Sequence, residues 1–160
     1  MSRLVTFKTG SLVAIAISAT MFTSTLAASA APSASAVVAT RQAGFKKMGG
    51  AMKALGAQLK SGAPAKAKMV AAAQTIATTA RGQGKLFPAG SGPAPGLKTE
   101  ALRNIWTDRA TFDAQMAKLV TEADKLVAVS NTGNAAAIGA QMKATGAVCG
   151  GCHRKFRKET

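Results

Sequence analysis

The chain has 160 residues and a formal net charge of +15 at pH 7, with one tryptophan and no tyrosine. Such a basic composition is compatible with nucleic acid, an anionic surface or acidic proteins as partners. No nucleic-acid-binding module is recognisable, which argues against nucleic acid. The lysines and arginines either solvate the polar faces of helices or dock acidic redox partner proteins, and composition leaves both interpretations open.

The first thirty residues resemble a secretory signal peptide. Arg3 and Lys8 form a short positive region, and residues 11–28 are an uncharged run of apolar and small residues. Ala28-Ser29-Ala30 matches an A-x-A cleavage site, with a second candidate at 34–36. A retained membrane anchor is the alternative, because the run is nearly long enough to span a bilayer, but serine and threonine dilute it.

We therefore predict residues 1–30 as a signal peptide and residues 31–160 as one exported, periplasmic domain. No later stretch is apolar enough to cross a membrane, so no membrane span is expected after cleavage. Export also argues against contact with nucleic acid.

Apolar residues spaced three and four apart predict four helices and no strand. The helices are expected at about Val37 to Lys60, Pro64 to Arg81, Thr99 to Leu126 and Asn134 to Lys158. Thr99 is the expected N-cap of the third helix, with Glu100 in its first turn. A loop rich in glycine and proline precedes that helix. This pattern predicts an all-α fold, an antiparallel four-helix bundle.

The chemistry is concentrated near the C-terminus, in Cys149-Gly150-Gly151-Cys152-His153. This CxxCH segment contains both cysteines and the single histidine of the chain, and it is the attachment sequence for c-type haem. On a helix the three side chains share one face, so the thiols can form thioethers while the imidazole reaches the iron from the same side. The motif predicts one covalently attached haem c near the C-terminus, with His153 as the axial iron ligand.

Three other interpretations of the motif have weaker support in the sequence. A zinc site needs a fourth ligand, and no other cysteine or histidine exists. A redox CxxC is typical of a helix N-terminus after a strand, whereas this one lies late in a helix. A plain disulfide is compatible with export but does not explain the adjacent His153.

Four segments together resemble the class II c-type cytochromes, which are the cytochrome c′ family and its cytochrome c-556 relatives. They are Arg41-Gln42-Ala43-Gly44-Phe45-Lys46-Lys47-Met48, Phe87-Pro88-Ala89-Gly90-Ser91-Gly92, Asn104-Ile105-Trp106 followed by Phe112, and Gly146 to Arg157 with the CxxCH inside it. Their order and spacing cover nearly the whole chain after the predicted signal peptide.

The resemblance implies roles for residues on the proximal side of the iron. It implies that Cys149 and Cys152 bind the haem covalently and that His153 is the proximal ligand. Arg157, one turn after His153, is expected to lie near the imidazole and to tune its environment.

The resemblance also implies contacts around the haem edge and the distal face. Arg41 and Gln42 are expected to contact the haem propionates, and Ser91 to touch the haem edge from its loop. Phe45 occupies the distal position, where the cytochrome c-556 type has a methionine that ligates iron. Since phenylalanine cannot ligate, we predict five-coordinate iron; Met48, one turn further, keeps a low-spin His/Met site open.

These expectations predict a periplasmic haem protein that binds NO or CO, transfers single electrons to redox partner proteins, or does both. The alternative is a low-spin electron-transfer cytochrome of the c-556 type. An enzyme such as a peroxidase or an NO reductase needs a distal acid–base group, and none is available, so we predict that it is not an enzyme. The family is often homodimeric through its first two helices, so a homodimer is expected.

Overall fold

The computed structural model describes residues 31–159, so the predicted signal peptide lies outside the described residues. Across this range the chain is helical, and its single β-type pairing is an isolated bridge between Ala101 and Arg157. The helices are α1 (Ala34–Lys60), α2 (Lys66–Gln83), the short α3 (Asn104–Thr107), α4 (Arg109–Ser130) and α5 (Ala135–Phe156).

The four long helices form the predicted antiparallel bundle. α1 packs on α2, α2 on α4 and α4 on α5. Because the chain reverses direction at each connection, the C-terminal end of α5 lies at the same end of the bundle as the N-terminal half of α1. The predicted all-α architecture is confirmed, and this topology brings the CxxCH segment to the first helix.

Local signals account for two helix starts. The Ser33 side chain accepts a hydrogen bond from the Ala36 amide and caps α1, and the Asn134 side chain accepts one from the Ala137 amide and caps α5. Such caps satisfy amides that have no partner inside the helix.

Two clusters of buried apolar side chains fill the bundle. The first lies toward the end of the bundle away from the CxxCH segment and consists of Ala51, Leu55, Met69, Ala72, Ala73, Ile76, Ala77, Ala123, Leu126 and Ile138. The second lies at the CxxCH end and consists of Met48, Ala80, Phe87, Ile105, Phe112, Met116, Leu119, Val148 and Phe156. The first cluster is rich in alanine, so its helices approach closely, whereas the second is built from large side chains. Among the described residues, no helix is both long and apolar enough to span a membrane.

The predicted start of the third helix at Thr99 is wrong. Residues 99–103 are not helical, and the helical segment itself is divided at Asp108. The Thr99 hydroxyl accepts hydrogen bonds from the Ala101 amide and from Arg41 Nη2. The Leu102 amide donates to the Phe156 carbonyl, and the Lys158 amide donates to the Glu100 carbonyl. Contacts with α1 and with the end of α5 therefore override the local helix signal.

Two glycines of α1 offer a matched test of the packing. A Cβ on Gly44 would lie within 2.8 Å of Gln83 Nε2, which donates to the Arg41 carbonyl, whereas a Cβ on Gly49 would meet nothing within 4 Å. We expect Gly49→Ala to raise the free energy of unfolding by about 1 kcal/mol, the helix-propensity gain. We expect Gly44→Ala to lower it by about 1–2 kcal/mol, because overpacking outweighs that gain. Denaturant unfolding of the haem-loaded protein measures both, and equal stabilisation would contradict the packing at Gly44.

Candidate haem-binding site

A cavity of about 340 Å³ opens at the end of the bundle where α5 finishes. Its walls come from the first half of α1, the loop before α3, the starts of α3 and α4, and the last turns of α5. The lining residues are Arg41, Gln42, Phe45, Lys46, Phe87, Thr99, Glu100, Ala101, Ile105, Phe112, Cys152, His153, Phe156 and Arg157. Phenylalanine rings make up much of the wall, so the cavity suits a flat apolar ligand with a polar edge.

The last turns of α5 bring the three residues of the motif together. Cys152 and His153 line the cavity, and Cys149 lies one turn earlier, half-buried against the apolar cluster at this end. The His153 carbonyl accepts from the Arg157 amide, where α5 ends. Cys152 and His153 therefore reach the cavity from the helical turn that the sequence predicts, whereas Cys149 is not among the lining residues.

The cysteines do not have the environment of redox-active thiols. Burial raises the pKa of Cys149, and burial together with the neighbouring Cys149 raises the pKa of Cys152 to about 11. Catalytic CxxC thiols are activated by the opposite shift, at the positive end of a helix. Here the motif lies at the negative end, which disfavours thiol–disulfide chemistry.

His153 is partly exposed, on the cavity wall opposite Phe45. The centroids of the two rings are 6.4 Å apart, with an angle of 76° between their planes. Burial, with a smaller contribution from the positive charge of Arg157, lowers the pKa of His153 and favours the neutral imidazole. A neutral imidazole has the free lone pair that a metal ligand needs.

Arg41 is buried beneath the cavity and holds the loop that closes it. The side chain is only 2% exposed. Nη1 donates to the Leu86 carbonyl and the Ser91 hydroxyl, each at 3.2 Å. Nη2 donates to the Ser91 carbonyl at 3.1 Å and to the Thr99 hydroxyl at 2.8 Å. The guanidinium also stacks on Phe87, 4.4 Å from the ring centroid. Burial lowers its pKa, but a guanidinium stays charged in proteins.

The other predicted residues take different positions around the cavity. Gln42 lines it and donates to the Lys98 carbonyl at 2.8 Å. Arg157 lines it and pairs with Glu100, with Nε 2.6 Å from Oε2. Ser91 is fully buried under Arg41 and is not among the lining residues. The structure thus brings Arg41, Gln42 and Arg157 to the cavity and leaves Ser91 behind its wall.

Sequence reasoning missed several lining residues. The sequence pattern places Glu100 at a helix start and gives Lys46 no role beyond its motif. Both line the cavity. Phe87 was quoted in its loop without a role, yet its ring packs 4.6 Å from Phe112 and 6.3 Å from Phe45 between centroids. The sequence feature that could have identified Phe87 is its position in a loop, directly before Pro88.

An all-α bundle with a CxxCH segment ending its last helix, beside an aromatic cavity, defines a c-type haem protein. The family model described as Cytochrome C′ matches residues 36–157. The chain belongs to the cytochrome c′ family. Proteins of this family carry one covalently attached haem c per chain, and the two thiols, the imidazole and the apolar cavity seen here fit that group.

Individual relatives agree with this assignment. A cytochrome c-556 from Agrobacterium tumefaciens is 38% identical over 121 residues, which cover 75% of this chain and 95% of the relative. A cytochrome c′ from Rhodospirillum rubrum is 32% identical over 148 residues, which cover 92% and 98% of the two chains. A solved cytochrome c′ with a ligand-controlled dimer dissociation superposes with a TM-score of 0.77 at 30% identity, covering 81% of this chain and 100% of that chain.

The Arg41 network predicts a large difference between two neighbouring substitutions. Arg41→Ala leaves four loop acceptors without their buried donor, so we expect it to lower the free energy of unfolding by about 3 kcal/mol. Gln42→Ala removes one exposed hydrogen bond and should cost less than about 1 kcal/mol. Denaturant unfolding measures the stability. Amide exchange should accelerate across residues 86–103 in Arg41→Ala alone, and equal exchange in both variants would disprove the role of Arg41 in holding the loop.

Proposed function

We propose that this protein is an exported, five-coordinate cytochrome c′ that binds NO or CO and transfers single electrons. The observation that carries the proposal is the pair of rings across the cavity, His153 on one side and Phe45 on the other. When bound, the haem would supply an iron that exchanges single electrons and, in the ferrous state, takes a small neutral ligand such as NO or CO.

The side chains opposite His153 support an open axial position. Phe45 has no atom that ligates iron. Met48 is 6% exposed and packs in the apolar cluster with Ala80 and Met116, and it is not among the lining residues. In fact no methionine lines the cavity within the described residues. An apolar distal wall disfavours charged or strongly hydrated ligands, because they would lose hydration without gaining a partner.

The residues around His153 give each predicted role a physical basis. Cys149 and Cys152 form the thioethers, and His153 is the axial ligand. Arg157 keeps positive charge near the imidazole. Because Glu100 pairs with that guanidinium, the loop before α3 is coupled to the proximal side.

The polar edge of the cavity is where haem propionates would lie. Gln42 is exposed there, and its single hydrogen bond goes to a surface carbonyl. Both terminal nitrogens of Arg41 already bind two protein acceptors each. Arg41 therefore acts first by holding the loop and contributes its charge to the propionates from below. Ser91 acts one step further away, through Arg41.

The start of α1 bears on where the predicted signal peptide is cleaved. Cleavage after Ala30 keeps Ser33, the N-cap of α1, whereas cleavage after Ala36 removes the cap and the first residues of the helix. We therefore place the mature periplasmic domain at residues 31–160. The solved relative with a ligand-controlled dimer dissociation supports a homodimer here, and the family resemblance implies that it forms through α1 and α2. The distal wall has no acid–base group opposite His153, so we propose a gas-binding electron carrier, not an enzyme.

Substitutions at Phe45 and Met48 separate the open site from the c-556 alternative. The reduced wild-type protein should show a high-spin spectrum that changes on adding CO. Phe45→Met should shift it toward a low-spin spectrum and weaken CO binding, because the thioether occupies the open position. Met48→Leu conserves volume in the core and should leave the spectrum unchanged. A low-spin wild type that becomes high-spin in Met48→Leu would establish the c-556 alternative.

Covalent attachment of the haem is tested separately, by substitutions in the CxxCH motif. In the double variant Cys149→Ala/Cys152→Ala, acidified butanone should extract the haem, which the wild type retains. His153→Gly should lose its axial-ligand spectrum and recover it when imidazole is added, because the small residue leaves room for the free ligand. Arg154→Ala, on the next exposed position, is the control and should behave as wild type. Unchanged haem retention without both cysteines would refute the thioether assignment.

A further inference from the structure

One carboxylate lies among the cations of the haem cavity. Of the lining residues that the structure describes, Glu100 is the one with a carboxylate, whereas Arg41, Lys46 and Arg157 carry positive charge. The first 99 residues of the chain contain no aspartate or glutamate, so α1 supplies no acid to its side of the cavity. Glu100 is therefore the local source of negative charge in the cavity wall.

The backbone around Glu100 fixes its position next to the end of α5. The Glu100 carbonyl accepts a hydrogen bond from the Lys158 amide at 2.8 Å. The next residue, Ala101, forms an isolated bridge with Arg157. These backbone contacts hold the Glu100 side chain beside the last residues of the chain without help from its carboxylate.

The Glu100 carboxylate binds the cation that acts on the proposed iron ligand. Its Oε2 lies 2.6 Å from Arg157 Nε. After burial, the positive charge of Arg157 is the second cause that lowers the pKa of His153, so that charge reaches the imidazole. A carboxylate in contact with the guanidinium opposes the same field. An exposed ion pair adds little to stability, so this pair matters more for the charge beside His153 than for the fold.

We propose that Glu100 lowers the reduction potential of the haem by offsetting the positive charge of Arg157 beside His153. The inference rests on the proposed ligation by His153 and the proposed electron transfer. Ferric haem carries one more positive charge than ferrous haem, so a nearby cation favours the ferrous state and a nearby anion favours the ferric state. Arg157 and Glu100 therefore act on the potential in opposite directions.

A second ion pair between the same two segments provides the matched control. Lys155 Nζ lies 3.1 Å from Asp108 Oδ2, and these side chains are exposed to nearly the same degree as those of Glu100 and Arg157. Neither Asp108 nor Lys155 is among the lining residues. This pair joins the end of α5 to the segment around α3 with the same charges, but it places no charge in the cavity wall.

The test is a mediated redox titration of the haem-loaded protein, in which one electron passes from a reduced dye to the ferric iron. Glu100→Gln removes the charge but keeps an oxygen that can accept from Arg157 Nε. We expect it to raise the ferrous-to-ferric ratio at a fixed potential roughly fivefold, which is about 40 mV at 59 mV per tenfold change. Arg157→Gln should lower the ratio by a similar factor, and the double variant should lie near the wild type.

The control pair keeps the outcome decisive. Asp108→Asn and Lys155→Gln should each change the ratio by less than about twofold, because water and salt screen charges outside the cavity. A rise in Asp108→Asn equal to that in Glu100→Gln would overturn the proposal. So would an unchanged potential in Glu100→Gln, or a lower one, which would show that Glu100 only holds Arg157 in place. If Glu100→Gln fails to fold, Glu100→Ala replaces it with the same expected direction.

The spectra recorded during the titration distinguish this proposal from the proposed gas-binding site. All these variants should retain the spin state and the CO binding of the wild type, because Phe45 and Met48 are unaltered. A low-spin wild type that does not bind CO would refute the open axial position. The potentials of the Glu100 and Arg157 variants would still decide the role of Glu100.

Discussion

The haem cavity depends on one buried cation. Arg41 projects from α1 into the protein and binds the connection between α2 and α3 at three separated points, Leu86, Ser91 and Thr99. That connection has almost no regular structure of its own, so without these bonds little would fix it as a wall. Burying a guanidinium is costly, and four acceptors together with the face of an aromatic ring offset the lost hydration. The charge is retained because it organises a loop that apolar packing alone would leave free.

Chain topology then decides which residue lies beside His153, the proposed iron ligand. His153 lies in the last turn of α5, and the antiparallel arrangement brings α1 to that end of the bundle. In the proposed function the residue of α1 beside the imidazole controls the distal side, and that residue is Phe45. The rest of the wall is a chain of ring contacts through Phe87 and Phe112 to Phe156. These edge-on contacts hold a fixed apolar surface, which suits selection of ligands by size and polarity.

The sequence alone was sufficient to predict features that depend on residues close together along the chain. CxxCH spacing, apolar periodicity and the start of the fourth helix near Asn134 each depend on neighbours along the chain, and each is found in the structure. The prediction of a helix over residues 99–103 was wrong because Thr99 and Glu100 have a local pattern typical of a helix start. Their hydrogen bonds instead go to Arg41, some sixty residues earlier, and to the backbone after His153, more than fifty residues later. No window of the sequence contains those partners, so the loop as a cavity wall could not be predicted.

The position of the few acidic residues affects both the cavity wall and the charge on the surface of the bundle. Glu100 and Asp108 pair with Arg157 and Lys155, so two of the six carboxylates hold the loop region against the end of α5, next to the proximal ligand. Exposed pairs contribute little to stability one by one, but Glu100 lies inside the segment that the sequence pattern predicts to be helical, and Asp108 follows it directly after α3. Of the other carboxylates that form ion pairs, only Asp124 reaches α1 or α2, where it pairs with Arg81. The same distribution of charge that fastens the proximal side of the cavity leaves its distal helix cationic from Lys46 onward. A protein with acids spread evenly would lose both properties together, so the proximal geometry and the charge of the outer face are best understood as one arrangement.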